Sequence, residues 1–200
     1  MTEIKAPPTV GPWRVASARL AFDNPWISVI DHKVTHPDGS PGEYGVVRFK
    51  NRAIGILPID DEGCTWLVGQ HRFPLDRYSW ELPEGGGPLK EAPLQAAKRE
   101  LEEETGLTAK TWLPLAEMDL SNSVTDEAAI SFIACDLHEG KAAPESSEAL
   151  ALRKVAFSTL LDEILAGKVR DSLTILMALS AHARALKGRL PERISRLLMK

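Results

Sequence analysis

Hydrophobic and polar residues alternate along much of the N-terminal part of the chain, a pattern typical of half-buried β-strands. The stretches WISVIDHKVTH and GEYGVVRF flank a PDG turn at residues 37–39, so they are predicted to form an antiparallel hairpin. AIGILPID and CTWLVGQHRF flank DEG at residues 61–63, and a second antiparallel hairpin is predicted there. This part of the chain is therefore expected to consist of antiparallel strands.

At residues 93–104 the spacing of hydrophobic residues changes to that of an amphipathic helix. Leu94, Ala97 and Leu101 form one apolar stripe when residues are spaced by about 100°. Pro93 suits the first helical turn, and Gly106 suits the position just past the last turn, where a left-handed residue is favoured. These signals predict one central helix.

The remainder of the chain returns to strand patterns and then changes to helical ones. The predicted strands are 111–120, 128–137 and 151–158, and the predicted helices are 159–166, 172–187 and 191–199. Strands, a central helix, more strands and then helices predict an α+β fold with mixed sheets.

Composition restricts the function. With 200 residues, 44% of them hydrophobic, the chain can form one globular domain with an appended element. Its net charge of −4 disfavours nucleic-acid binding, which needs a basic surface. Cys64 and Cys135 form neither a paired thiol motif nor a zinc site. Two unrelated cysteines of this kind suit a reducing compartment. Neither a signal peptide nor a bilayer-spanning apolar run is found, so we expect a cytoplasmic protein without membrane contact.

The central helix carries an unusual group of acidic residues. Glu100, Glu103 and Glu104 share an arc that adjoins the apolar stripe. Like charges so placed repel one another unless a cation lies among them. Carboxylate oxygens are hard ligands, which suit Mg²⁺, with Mn²⁺ as an alternative. A solvated surface helix rich in glutamate has the same periodicity, so periodicity alone leaves both interpretations open.

The whole segment from residue 85 to residue 107 resembles the Nudix box. That motif is a glycine, five residues, Glu, seven residues, and then Arg-Glu-apolar-any-Glu-Glu-any-Gly-apolar. Every defined position is matched, by Gly85, Glu91, Arg99, Glu100, Leu101, Glu103, Glu104, Gly106 and Leu107. A chance match in a chain of this length is on the order of 10⁻⁷, so the resemblance favours the metal interpretation.

The resemblance to Nudix hydrolases implies roles for the box residues. Glu100 and Glu104 are the expected metal ligands, and Glu103 is a further ligand or a base. In the family a backbone carbonyl just ahead of the box glycine also binds metal, which here belongs to Glu84. Arg99 is expected to orient a glutamate through a charge-assisted hydrogen bond.

The resemblance also implies a fold, an α/β/α sandwich with a mixed β-sheet preceded by antiparallel strands. Residues 1–50 are expected to be a strand arm that contributes to a homodimer, and residues 51–200 the hydrolase domain. Gly85, Gly86 and Gly87 are interpreted as a tight turn that lets the backbone approach metal and phosphate.

The sequences WELPEGG and QHRFP are similar to those of Nudix enzymes that hydrolyse ADP-ribose and related nucleoside diphosphate sugars. Arg72 is expected to be a phosphate contact or a cation that faces the box, and Gly86 is expected to approach the phosphate. Trp26 is a candidate for stacking on the base, although core packing is the safer interpretation of any single aromatic residue. In this subfamily a glutamate on a loop beyond the box acts as the base. Glu148 is favoured over Glu145 for that role, and Glu127 is the alternative.

Two other functions stay open at this point. One is a Nudix hydrolase that acts on a different nucleoside diphosphate linkage, such as a dinucleoside polyphosphate or an oxidised nucleotide. The other is a sensor that binds ADP-ribose without hydrolysing it.

Overall fold

A computed structural model describes residues 2–140 and 150–200 of the chain. These residues contain the following strands: β1 Thr2–Ile4, β2 Thr9–Val10, β3 Trp13–Asp23, β4 Ile27–Thr35, β5 Pro41–Phe49, β6 Asn51–Pro58, β7 Cys64–Arg72, β8 Arg77–Glu81, β9 Glu84–Pro88, β10 Leu107–Asp119, β11 Ala128–Glu139 and β12 Ala151–Ala156. The α-helices are α1 Pro93–Thr105, α2 Phe157–Leu165, α3 Ser172–Leu186 and α4 Glu192–Leu198. The four predicted helices are confirmed, with ends within two residues of the predicted ones.

The chain divides into two units. The first comprises Met1–Arg52 and Asp119–Ala128, and the second comprises Ala53–Met118 and Ala129–Lys200.

The first unit is an antiparallel sheet with the order β1-β3-β4-β5, in which β2 also pairs with β3. The predicted hairpin between β4 and β5 is confirmed. His36 N donates to Ser40 O at 2.8 Å, and Gly39 has a φ of 89°, a conformation that favours glycine.

The segment from residue 119 to residue 128 lies against β5 within this unit. Val47 forms an isolated parallel bridge with Thr125. The Asp126 carboxylate accepts a hydrogen bond from Phe49 N at 2.9 Å and pairs with Arg48 at 3.1 Å. These contacts hold the chain immediately before Glu127.

The second unit contains a four-stranded sheet, β10-β11-β6-β9, and a three-stranded sheet, β12-β7-β8. The predicted hairpin between β6 and β7 is wrong, because the two strands enter different sheets. The turn itself closes, with Asp60 N donating to Cys64 O at 3.0 Å, but β6 pairs in parallel with β11. Residues 54–58 are all buried, as expected for a strand covered on both faces, and a local turn does not determine such pairing.

The core of the second unit fixes the orientation of α1. Ala96, Ala97 and Leu101 of the helix are fully buried in a cluster with Ile54 and Phe132 of the sheet. Leu94, predicted in the same stripe, is partly buried beside it. The carboxylates on the adjoining helix face are therefore carried by a rigid element.

The α+β class and the mixed sheet are confirmed. Among residues 2–140 and 150–200, no helix is both long enough and apolar enough to cross a membrane.

Candidate active site

The helix that carries the acidic residues, α1, begins and ends where local signals in the sequence predict. Pro93 occupies the first turn, and Gly106 ends the helix with a φ of 72° while its N–H donates to Glu102 O at 2.8 Å. Both ends were predicted from the sequence, and both are confirmed.

Two of the predicted ligands are buried. Glu100 is 9% exposed and Glu104 is 5% exposed, although each carries a carboxylate. Glu104 Oε2 accepts a hydrogen bond from the backbone N–H of Glu84 at 3.0 Å. Glu103, one residue earlier, lies at the edge of the site with about a third of its side chain exposed. The helix therefore brings Glu104 against the backbone segment that carries the Glu84 carbonyl.

The glycines ahead of the helix are extended, so their interpretation as a tight turn is wrong. Gly85, Gly86 and Gly87 lie in β9, and none of the three has a positive φ. At Gly85 and Gly87 the small size of the residue is needed for space. A Cβ on Gly85 would lie 2.2 Å from Glu100 Cδ, and one on Gly87 would lie 2.8 Å from a side-chain carbon of Ile54. The Glu100 carboxylate thus packs directly on the Gly85 backbone.

Arg99 joins the acidic residues to the glycine strand. Its guanidinium donates to Glu100 Oε1 at 2.8 Å, to Glu103 Oε2 at 2.9 Å and to Gly86 O at 3.0 Å. Glu91 accepts a longer bond at 3.3 Å. Burial opposes the charge of Arg99, but its carboxylate partners outweigh that effect and raise the pKa of Arg99. Arg99 therefore stays charged and orients two box glutamates.

Arg72 lies beside the same segment, at the end of β7. Its Nε donates to Glu81 Oε2 at 3.0 Å, and Nη2 donates to Glu84 Oε1 at 2.8 Å. Burial works against the guanidinium charge, yet the bond to Glu81 and the charge of Glu84 raise the pKa of Arg72. Arg72 thus faces the start of the glycine strand through Glu84.

Two residues that the sequence did not indicate also contact this segment. Thr174 Oγ1 accepts a hydrogen bond from Leu82 N at 2.8 Å, and Asp171 caps α3 by accepting from Thr174 N at 2.7 Å. Burial, and then the charge of Asp171, raise the pKa of Glu84. The sequence does contain a cap signal, since Asp171 immediately precedes the apolar helical pattern, but that signal carries no information on tertiary contacts.

Trp26, which is 64% exposed, and Glu127 belong to the first unit. Burial raises the pKa of Glu127. Glu145 and Glu148 lie outside the described residues.

The donor set around α1 fits a divalent cation. Glu100 and Glu104 provide buried carboxylate oxygens, and the Glu84–Gly85 backbone lies against both side chains. Arg99 contributes a single positive charge against the three carboxylates that it binds. A hard cation among these oxygens would compensate their negative charge, which is unfavourable in a buried position.

Asp60, Glu62 and Cys64 form a second group whose potential ligand atoms lie within 4.8 Å of one another. The two carboxylates of this group are already paired, since Lys154 lies 2.6 Å from Asp60 and 3.4 Å from Glu62. Burial also raises the pKa of Cys64, which disfavours the thiolate needed for metal binding. This group therefore suits a metal less well than α1 does.

Comparison with known protein families gives matches over two parts of the chain. Residues 49–174 match the NUDIX domain. The chain belongs to the Nudix hydrolase family. Residues 13–47 match a second domain, the nucleoside diphosphate sugar hydrolase N-terminal domain. The Nudix match includes the whole box as well as Arg72, Asp171 and Thr174.

Two relatives of this Nudix hydrolase are bacterial. The ADP-ribose pyrophosphatase of Mycobacterium tuberculosis is 33% identical over 134 residues, which are 66% of this chain and 65% of that protein. The ADP-ribose pyrophosphatase of Bacillus subtilis is 31% identical over 155 residues, which are 76% of this chain and 83% of that protein.

A solved structure described as an ADP compounds hydrolase has the same fold. The TM-score is 0.78 at 18% identity, and the match covers 88% of this chain and 95% of the other. The Nudix fold expected from the box is confirmed.

Proposed function

We propose that this Nudix hydrolase cleaves the diphosphate bond of ADP-ribose or a related nucleoside diphosphate sugar, giving a nucleoside monophosphate and a sugar phosphate. The observation that carries the proposal is the match of residues 13–47 to the nucleoside diphosphate sugar hydrolase N-terminal domain, in the same chain as a complete box. The names of the bacterial relatives support the same substrate class.

Glu100, Glu104 and the Glu84 carbonyl would hold Mg²⁺, or Mn²⁺ in its place, with Glu103 as a further ligand or a base. When bound, such a cation neutralises diphosphate charge and lowers the pKa of a bound water. Arg99 holds Glu100 and Glu103 in fixed orientations, as its hydrogen bonds indicate. Arg72, Gly86 and Trp26 remain the proposed substrate contacts. The protein then mainly positions the reacting groups and supplies charges that stabilise the transition state of diphosphate hydrolysis.

We expect the Glu148→Gln variant to lower kcat by about tenfold or more, since a general base must accept a proton from the attacking water. The acidic limb of the pH profile of kcat should also disappear, because a base has to be deprotonated to act. Glu145→Gln and Glu127→Gln are the matched comparisons, with the same change in charge. If Glu127→Gln alone shows both effects, Glu127 is the base and Glu148 is not.

The homodimer is also a proposal. The first unit, which carries the proposed arm at residues 1–50, exposes large apolar side chains, with Val10 56%, Phe22 51% and Trp26 64% exposed. Sedimentation equilibrium of the full chain tests this, and a monomer at micromolar concentration would contradict it. The cytoplasmic location stays a prediction.

A substrate panel tests the proposed function. Phosphate release after coupling to a phosphatase is measured for ADP-ribose, other nucleoside diphosphate sugars, a dinucleoside polyphosphate and a nucleoside triphosphate, with and without Mg²⁺. We expect kcat/KM to be highest for a diphosphate sugar and turnover to require the metal. Equal or faster turnover of the triphosphate would reject the substrate class, and binding of ADP-ribose without turnover would indicate a sensor.

A further inference from the structure

The segment that joins β8 to β9 is bound at three successive residues by three different elements, α3, β6 and α1. The hydrogen bonds run from Leu82 N to Thr174 Oγ1 at 2.8 Å, from Ile56 N to Pro83 O at 2.8 Å, and from Glu84 N to Glu104 Oε2 at 3.0 Å. Leu82 and Pro83 are buried, so water does not replace a bond that is lost there. These bonds fix the path by which the chain enters the glycine strand.

The acceptor on α3 is itself held in place. Thr174 is completely buried, and its N–H donates to Asp171 Oδ2 at 2.7 Å. Leu173 and Met177 of the same helix pack against Gly55 of β6, where a Cβ would lie 3.2 Å from Leu173 Cδ2 and 2.7 Å from Met177 Sδ. The first turn of α3 therefore lies directly on the strand that also binds the segment, and the Thr174 hydroxyl has a fixed position.

The position of this segment determines where the Glu84 peptide lies relative to α1. Its N–H donates to Glu104, and the next residue, Gly85, leaves no room for a Cβ beside Glu100. If the hydroxyl acceptor on α3 is removed, Leu82 N becomes a buried donor without a partner, which is costly, and the segment has to shift to satisfy it. A shift two residues before Glu84 moves the Glu84 carbonyl relative to both carboxylates.

We propose that Thr174 is a positioning residue of the metal site: its hydroxyl oxygen holds Leu82 N, so that the Glu84 peptide keeps its register with Glu100 and Glu104. The inference rests on the proposed metal site. It differs from a role in helix packing, because packing needs only the size and the methyl group of the threonine, whereas positioning requires the oxygen.

Substitutions at residue 174 separate the oxygen from the methyl group. Thr174→Val keeps the β-branched shape and the methyl group but has no acceptor for Leu82 N. Thr174→Ser keeps the acceptor and loses the methyl group, and Thr174→Ala loses both. The measurements are the dissociation constant for Mn²⁺ by titration calorimetry on the full chain without substrate, and the thermal unfolding temperature.

Ser131→Ala is the matched control. Ser131 is also a completely buried hydroxyl residue of the second unit, and its Oγ accepts from Ala116 N at 3.2 Å and donates to Ala116 O at 3.1 Å. Its substitution should lower the unfolding temperature, because two hydrogen bonds of a buried hydroxyl are lost. Mn²⁺ affinity should stay within about twofold of the parent, since these bonds join β10 to β11 and do not support a ligand.

We expect Thr174→Val to bind Mn²⁺ about tenfold more weakly than the parent and Thr174→Ser to bind within about threefold, since lost support around a ligand typically weakens metal binding by tenfold or more. Thr174→Ser should also bind about fivefold more tightly than Thr174→Ala, and this pair decides the question if the valine variant does not fold. Parental affinity in Thr174→Val, or equal weakening in Thr174→Ser and Thr174→Ala, would overturn the inference and leave the metal site intact. If the parent itself takes up no Mn²⁺, the proposed metal site fails, and the inference fails with it.

Discussion

The Glu104→Gln variant is expected to lose about 10²- to 10⁴-fold in kcat for ADP-ribose while keeping its fold. Glutamine has the same size and its carbonyl oxygen can still accept the Glu84 N–H, a bond of 3.0 Å in the parent. What disappears is a negative charge at a buried position, where a charge interacts most strongly with a cation. The loss should therefore fall on metal-dependent turnover and not on stability. Steady-state kinetics at saturating Mg²⁺, with circular dichroism and thermal unfolding, measure both quantities.

Glu102→Gln is the matched control. It removes the same charge from the same helix, but Glu102 is exposed. We expect kcat for this variant to stay within about twofold of the parent, because exposed charges on a helix contribute little. Equal losses in the two variants would show that the helix needs its overall charge, and the assignment of Glu104 as a ligand would then be wrong.

Features set by local chemistry could be predicted from the sequence. The ends of α1 follow from Pro93 and Gly106, whose backbone preferences do not depend on distant residues. The stripe containing Ala97 and Leu101 indicated which face is buried, and residues 100 and 104 adjoin it by helical geometry alone.

Features set by distant contacts could not be predicted. The DEG turn at residues 61–63 forms as expected, yet β6 pairs with β11 instead of β7. The contact of Thr174 with Leu82 joins residues far apart in the chain, and no periodicity encodes it. The glycines were expected to bring the backbone close to metal and phosphate, but the sequence did not reveal that Gly85 approaches a carboxylate in an extended strand. Glycine permits either arrangement, so its presence does not distinguish them.

Gly85→Ala tests that close approach directly. Its new Cβ would lie 2.2 Å from Glu100 Cδ and 2.2 Å from Oε2, closer than any real contact, so the carboxylate has to move. The backbone itself tolerates alanine, because Gly85 lies in a strand and lacks a positive φ. We therefore expect kcat/KM to fall by about 10²-fold or more and Mn²⁺ binding to weaken, whereas the protein stays folded.

The control for this variant is Gly45→Ala. Gly45 is also a strand glycine, in β5, and a Cβ there would meet nothing within 4 Å. Alanine at residue 45 should leave metal binding and turnover unchanged. Because both changes add one methyl group to a strand, a difference between them reports on the space beside Glu100 and not on strand propensity. Full activity and parental Mn²⁺ affinity in Gly85→Ala would mean that Glu100 can leave its position without consequence, and it would then not be a metal ligand.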